Sequence, residues 1–310
     1  MTTADNERNK PVRQMHGVVV VNKPQGPTST SCLNAIKKKL GQKKIGHAGT
    51  LDPMATGVLP VLLGAGTKLA PYIMGGDKTY YGELRLGLTT DTYDIHGKVV
   101  EEKDWRHVTA EDAGIGITSW TDNTEQEVPP VSAAKHKGKP LYELARAGKE
   151  TPVKIKAIEV KNAQVVEIDL PHVRFRTTVS AGTYIRSLVH SLGIRLGSGA
   201  VLTALIRERS GLFELEGAHP LENLLDEPHR FPERVLSIRE ALQDWPRLAL
   251  DENQAKLVGN GAWLPVDETA IPSAPEGAMA LAETVNGEPL ALVEARQREQ
   301  RLRWAILRGL

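Results

Sequence analysis

Between Lys44 and Leu69 the chain reads KIGHAGTLDPMATGVLPVLLGAGTKL and carries a single carboxylate, Asp52. Gly46, Gly49 and Gly57 free the backbone around it and let another chain segment come close. Pro53 fixes its own φ and steers Asp52 toward an extended or turn conformation. The apolar run Val58–Leu63 that follows reads as a short core strand. The stretch therefore presents one acid from a stiff, internally anchored loop, with His47 five residues before it. A lone carboxylate that is ionised and kept dry can attack carbon as a nucleophile or stabilise a developing cation. The plainer alternative is an Asp-Pro turn former. No P-loop, CxxC or HExxH pattern occurs, so neither cofactor nor metal is expected.

The elements that must hold this loop can be read in order. Residues 16–21, HGVVVV, form a buried strand. The turn-rich Asn22–Ser29 loop follows and contains Lys23, which can bind a phosphate or support the Asp52 loop. A helix then runs to about Leu40, capped near Thr30 and ended by Gly41, with Leu33, Ile36 and Leu40 on one face. Residues 79–86 alternate as a strand with Tyr80, Leu84 and Leu86 on one side. Gly87–Gly97 is a Thr- and Asp-rich hairpin connection to a strand at Lys98–Glu101. Thr109 opens a helix over 109–119, and residues 121–128 are polar loop. Strands follow at 153–160, at 164–170 with Val166, Ile168 and Leu170 facing in, and at 173–179 with Val173, Phe175, Thr177 and Val179 facing in. A helix then aligns Ile185, Leu188, Val189 and Leu192, with Gly197 past its end. A further helix falls near Ser237–Gln243. From about Ala249 the texture changes to a short helix at 251–258 and three short strands near 278–282, 290–295 and 302–307, which suggests a small β-barrel-like appendage.

Several blocks resemble one family. Gly46-His47-Ala48-Gly49-Thr50-Leu51-Asp52-Pro53-Met54-Ala55-Thr56-Gly57-Val58-Leu59-Pro60 is similar to the active-site loop of the TruB family of tRNA pseudouridine synthases. Lys23-Pro24-Gln25-Gly26-Pro27-Thr28-Ser29 resembles that family's KPxGxTS element, and Lys78-Thr79-Tyr80 the element that supplies its active-site tyrosine. Thr90–Gly97 matches its TDTxDxxG spacing, and Ser180–Ala200 resembles SxGTYIRxLxxxLGxxLGxGA. Leu205, Arg207, Gly211 and Phe213 fit LxxLRRTxxGxF, with Ile206 in place of an arginine. In the PPxYSAxK-like segment at 129–149, Val128 and Val131 depart from the pattern. The resemblance implies an α+β fold, with a large, mixed, mainly antiparallel sheet, flanking helices and a small C-terminal PUA-like β domain. It divides the chain into a disordered lead-in at 1–14, a catalytic domain at 15–248 and an RNA-binding domain at 249–310. It further implies that Asp52, Tyr80 and Arg186 are catalytic and that His47, Lys23, Tyr184 and Leu205 serve substrate binding. Arg186 would keep Asp52 charged, since burial alone disfavours a carboxylate and a close guanidinium favours it. Tyr80 would stack on an extruded base and take or relay the C5 proton. Leu205 would floor the base, His47 would hold the duplex open or fill the vacated space, and Tyr184 and Lys23 would support the others. Attack at C1′, attack at C6 and a glycal route remain open.

The whole chain sets bounds. Its 310 residues, 40% hydrophobic and 25% charged, suit one large and one small domain. Cys32 is the single cysteine, which excludes an intrachain disulfide and fits a reducing compartment. No apolar run reaches membrane-spanning length and the polar N-terminus lacks a signal-peptide core, so a cytoplasmic protein is expected. The net charge of +1 means that any RNA footprint must be local. Three basic clusters qualify: Lys37, Lys38, Lys39, Lys43 and Lys44; Lys135, Lys137, Lys139, Arg146 and Lys149; and Arg296, Arg298, Arg301, Arg303 and Arg308. The expected partner is the T stem-loop of tRNA, met by a monomer with no obligatory protein partner. Two rivals are a guide-RNA-dependent synthase of the dyskerin-like branch and a non-catalytic RNA-binding or RNA-folding protein on the same scaffold.

Overall fold

Strand β1 (Gly17–Lys23) holds four consecutive valines because both of its faces are covered. Val19 and Val21 face one apolar layer and Val18 and Val20 another. A computed structural model describes residues 13–132, 134–136, 138–147 and 151–310. The lead-in expected at 1–14 lies almost wholly outside the described residues, as do the side chains of the basic cluster at Lys135–Lys149.

Helix α1 (Ser29–Leu40) starts earlier than Thr30, because the Thr28 side chain accepts the Ser31 N–H and caps it. Gly41, at φ +67°, ends it. The main sheet then collects β2 (Ile45–His47), β3 (Thr56–Leu63), β4 (Lys78–Leu86), β7 (Val160–Asp169), β8 (His172–Val179) and β9 (Ala200–Ser210), where β5 (Glu125–Glu127) and β6 (Ile155–Ala157) form a separate two-stranded ladder. Its order is β7-β8-β4-β9-β3-β1, extended by His219–Pro220. β2 pairs on β3, and Phe213–Glu214 pairs on β9. The β9–β3 and β1–His219 pairings are parallel and the others antiparallel, so the sheet is mixed and mainly antiparallel. One face packs against α1, against α2 (Ala110–Thr118) through Ala113 and Ile117, and against α3 (Ile185–Arg195) through Leu188, Val189 and Leu192.

Two expectations give way. Residues 121–128 are not all loop: β5 forms there, and its buried Gln126 faces inward. Val166 is 47% exposed, because a bulge between Val165 and Glu167 shifts the register and turns Val165 inward instead.

The C-terminal sheet runs β10 (Arg247–Leu250), β11 (Met279–Thr284), β12 (Pro289–Arg298) and β13 (Arg301–Gly309), ending on Leu264–Pro265. Helix α4 (Glu252–Gly259), capped by Asp251, packs against it. Leu281 and Leu292 leave this sheet's own core and join Val18, Val20, Val58 and Leu62 of the main sheet. No helix among the described residues is long and apolar enough to cross a membrane.

Strand β3 runs tight against β9 at Gly57. Its φ is +97°, and an added Cβ would lie 2.3 Å from the Arg207 carbonyl oxygen. Gly57→Ala is therefore expected to destabilise the fold by about 2–4 kcal/mol, through backbone strain and separation of the strands. Urea titration measures this, and an unchanged midpoint would show that the approach is not needed.

Candidate active site

The Asp52 loop is held through several of its own carbonyls, which meet buried donors. Lys23, at the end of β1 and 0% exposed, sends its ammonium to the carbonyls of Pro24 (2.8 Å), Pro53 (3.3 Å) and Ala55 (2.8 Å). Ser29 Oγ donates to the Leu51 carbonyl at 3.1 Å and accepts the Leu51 N–H at 2.8 Å. Arg207, 1% exposed on β9, donates to the carbonyls of Val58 (2.7 Å), Gly49 (3.0 Å) and Thr50 (3.4 Å). Gly26 N–H donates to the Pro53 carbonyl at 2.8 Å. Two buried cations and a hydroxyl thus fix the loop from below and leave its acid free to point outward.

That acid meets Arg186. The guanidinium Nε donates to Asp52 Oδ2 at 2.9 Å and Nη2 to Oδ1 at 3.1 Å, a two-pronged charge-assisted contact. Nη1 also donates to the Thr92 carbonyl at 2.8 Å, and Nη2 to the Val131 carbonyl at 3.1 Å. Asp94 Oδ2 lies 3.7 Å from Nη1. The arginine side chain is 4% exposed and the aspartate 36% exposed, so the pair is buried on one side and open on the other. Because the contact at Val131 runs through the backbone, the side-chain departure there does not weaken it.

The open side is a cleft of about 520 Å³, within the usual range for a small-molecule site. Tyr80 and Leu205 line it beside Asp52, on adjacent strands β4 and β9, and Tyr184 joins them at the start of α3. Gln126 holds that start: its Nε2 donates to the Gly182 carbonyl at 3.2 Å, and its Oε1 accepts the Tyr184 N–H at 3.1 Å. Burial raises the Tyr184 phenol above its ordinary value, which keeps it protonated. Lys78 also lines the cleft, and burial, with Arg207 adding, brings it down to about 8. Among the described residues, one charged side chain of the cleft is acidic, Asp52, and four are basic: Lys78, Lys156, Arg186 and Arg207. The cleft is thus one local concentration of positive charge, and the exposed Lys37, Lys38, Lys39, Lys43 and Lys44 are another. Of the C-terminal arginines, Arg296 pairs with Glu294, and Arg301 with Asp267 and Glu268.

The structure brings Asp52, Tyr80, Arg186, Tyr184 and Leu205 together in one cleft. Lys23 does not reach the cleft, because it lies on a strand, fully buried beneath the loop; it supports the loop and has no surface left for substrate. His47 sits on β2, does not line the cleft, and is held below the usual imidazole range first by burial and then by Arg207. Sequence reasoning left out Arg207, Asp94 and Gln126. The LxxLRRTxxGxF and TDTxDxxG patterns carried the first two, but pattern alone does not show what a side chain faces.

Lys23→Met keeps the bulk but removes three donors beneath the loop. Charged hydrogen bonds are worth about 1.5–3 kcal/mol each before compensation, so a stability loss of at least ~2 kcal/mol is expected, together with reduced turnover. Thermal unfolding alongside single-turnover rates checks this; a fully stable and active variant would remove Lys23 from the support.

A solvent-open carboxylate gripped by a buried guanidinium, beside an aromatic ring and an apolar floor on a mixed sheet, opens into a cleft large enough for a nucleoside. Solved structures share the fold: that of an H/ACA RNP bound to a substrate RNA containing 2′-deoxyuridine matches at TM-score 0.70 with 26% identity, covering 94% of this chain and 84% of that one. A Cbf5-Nop10-Gar1 complex matches at 0.69 with 27% identity, covering 95% and 84%. Residues 37–185 match the model of the TruB family pseudouridylate synthase (N terminal domain). A tRNA pseudouridine synthase B of Oleidesulfovibrio alaskensis is 54% identical over 300 residues, 96% of this chain and 97% of that protein. One of Clostridium tetani is 42% identical over 247 residues, 80% of this chain and 85% of that protein. The chain belongs to the TruB family of pseudouridine synthases.

Proposed function

We propose that this chain converts uridine to pseudouridine in tRNA, at position 55 of the T arm. The observation that carries the reading is the Asp52–Arg186 pair opening into a cleft with Tyr80 and Leu205, in a chain 54% identical over nearly its whole length to a tRNA pseudouridine synthase B. The reaction breaks the N1–C1′ bond, turns the base and forms a C5–C1′ bond; N1 gains a proton and C5 loses one. No electron donor or group donor enters the balance. Asp52 serves as nucleophile or as the counter-charge to an oxocarbenium-like sugar. Tyr80 stacks on the extruded base and handles the C5 proton, Leu205 supports the base from below, and Tyr184 closes the side of the cleft. Extrusion costs a few kcal/mol, which phosphate contacts at the basic rim, Lys156 among them, offset.

The catalytic domain extends to about residue 248, and the C-terminal β domain is PUA-like and contacts RNA. The protein works as a cytoplasmic monomer without a guide. Likeness to the H/ACA and Cbf5 structures favours a guide-dependent reading, but the far higher identity to tRNA pseudouridine synthase B outweighs it. The test is to incubate the purified chain with an unmodified tRNA transcript and detect pseudouridine chemically. Product at position 55 supports the proposal and excludes guide dependence. Tight tRNA binding without product would favour the non-catalytic rival.

A further inference from the structure

Tyr93 has a positive φ of 66°, which is uncommon for a residue with a Cβ and costs free energy wherever it occurs. Its neighbours hold it there. Its N–H donates to the Thr90 carbonyl at 3.3 Å, and its carbonyl accepts the Leu202 N–H at 3.2 Å. Its ring lies flat on His190, with centroids 3.7 Å apart and planes within 7°. Burial pulls His190 below the usual imidazole range, and its Nδ1 has no hydrogen-bond partner among the described residues, so the ring stacks as a neutral aromatic.

The position of this stack matters. His190 follows Arg186 by four residues on α3, so the two side chains leave the same helix face one turn apart. The peptide unit before Tyr93 ends in the Thr92 carbonyl that Arg186 Nη1 grips at 2.8 Å. Because that carbonyl and the Tyr93 N–H share one rigid plane, φ of Tyr93 helps set where the carbonyl points. The 90–97 turn therefore meets α3 at three points: the Thr92 carbonyl and the Asp94 carboxylate on Arg186, and the Tyr93 ring on His190.

We propose that the Tyr93–His190 stack is a positioning device that holds the Thr92 carbonyl, and through it the Arg186 guanidinium, in the plane that meets Asp52. Neither side chain lines the cleft. The inference rests on the proposed isomerisation, in which Arg186 orients Asp52. Without the stack, Tyr93 relaxes toward negative φ, the Thr92 carbonyl swings off the guanidinium, and the fork on Asp52 loosens.

Glycine separates this from simple packing, since it adopts positive φ without a steric penalty. Tyr93→Ala loses both the ring and the aim of the carbonyl, whereas Tyr93→Gly loses the ring alone. Under steady-state turnover of tRNA transcript, Tyr93→Ala and His190→Ala are expected to lower kcat about 10-fold with KM changed less than about 2-fold. His190→Phe, which can still stack, should recover to within about 3-fold of wild type. Tyr93→Gly should exceed Tyr93→Ala by at least about 3-fold, despite being no more stable to heat. In an Arg186→Lys background, His190→Ala should add little, because both act on the same contact. Equal kcat for the Gly and Ala variants, or full additivity with Arg186→Lys, would overturn the proposal. Absence of pseudouridine with the wild-type chain would instead overturn the isomerisation itself, so the two failures are distinct.

Discussion

Asp52→Asn binds tRNA and does not turn it over. The expected loss in single-turnover rate is about 10⁴-fold or more, comparable to removing the reacting group from other enzymes that use side-chain nucleophiles. The reason is local. Asp52 is the only acid among the described side chains that line the cleft, and none of these offers a second carboxylate to replace it. The loop does not depend on the carboxylate for its shape, since Lys23, Ser29 and Arg207 hold it through backbone carbonyls. The fold should therefore survive, with circular dichroism and tRNA affinity close to wild type. Asp52→Ala should behave alike. Wild-type-like pseudouridine formation by either variant would refute the assignment.

Arg186→Lys keeps the charge and loses the fork. Four acceptors surround the guanidinium: both oxygens of Asp52 and the carbonyls of Thr92 and Val131. A lysine ammonium has three donors that radiate from one atom and cannot match four acceptors spread around a plane. Some buried carbonyl is left without a partner, and Asp52 is free to turn. The charge stays but the two-pronged geometry that orients Asp52 is lost, so kcat is expected to fall by about 10²–10³-fold, with a smaller change in KM. Near-normal kcat would show that bidentate geometry is not required.

The acid loop and the arginine helix were legible because their identity lies in local pattern: Gly49, Asp52, Pro53 and Gly57 on one side, Gly182, Tyr184 and Arg186 on the other. Strands such as β8 were legible because Val173, Phe175, Thr177 and Val179 alternate cleanly and are buried. What escaped depends on closure of the chain. Lys23 left two roles open in sequence, phosphate binding or loop support, and Arg207 looks like a surface cation; only the folded loop supplies the carbonyls that bury both. Gln126 lies among polar residues, and its inward aim follows from β5 pairing with β6. The bulge at Val165–Glu167 is a register event between two strands, which neither strand's own alternation reveals. Tyr93 carries no local signature of positive φ, and the ring that stabilises it stands 97 positions further along the chain.

Leu281 and Leu292 of the C-terminal sheet pack with Val18 and Val20 of the first strand. A gene shortened to end near residue 248 would therefore strip one side of β1 and leave oily surface in contact with water. Such a fragment should come out of expression as aggregate, so the contribution of the last sixty or so residues to tRNA affinity is better measured by point changes on their outer surface than by amputation.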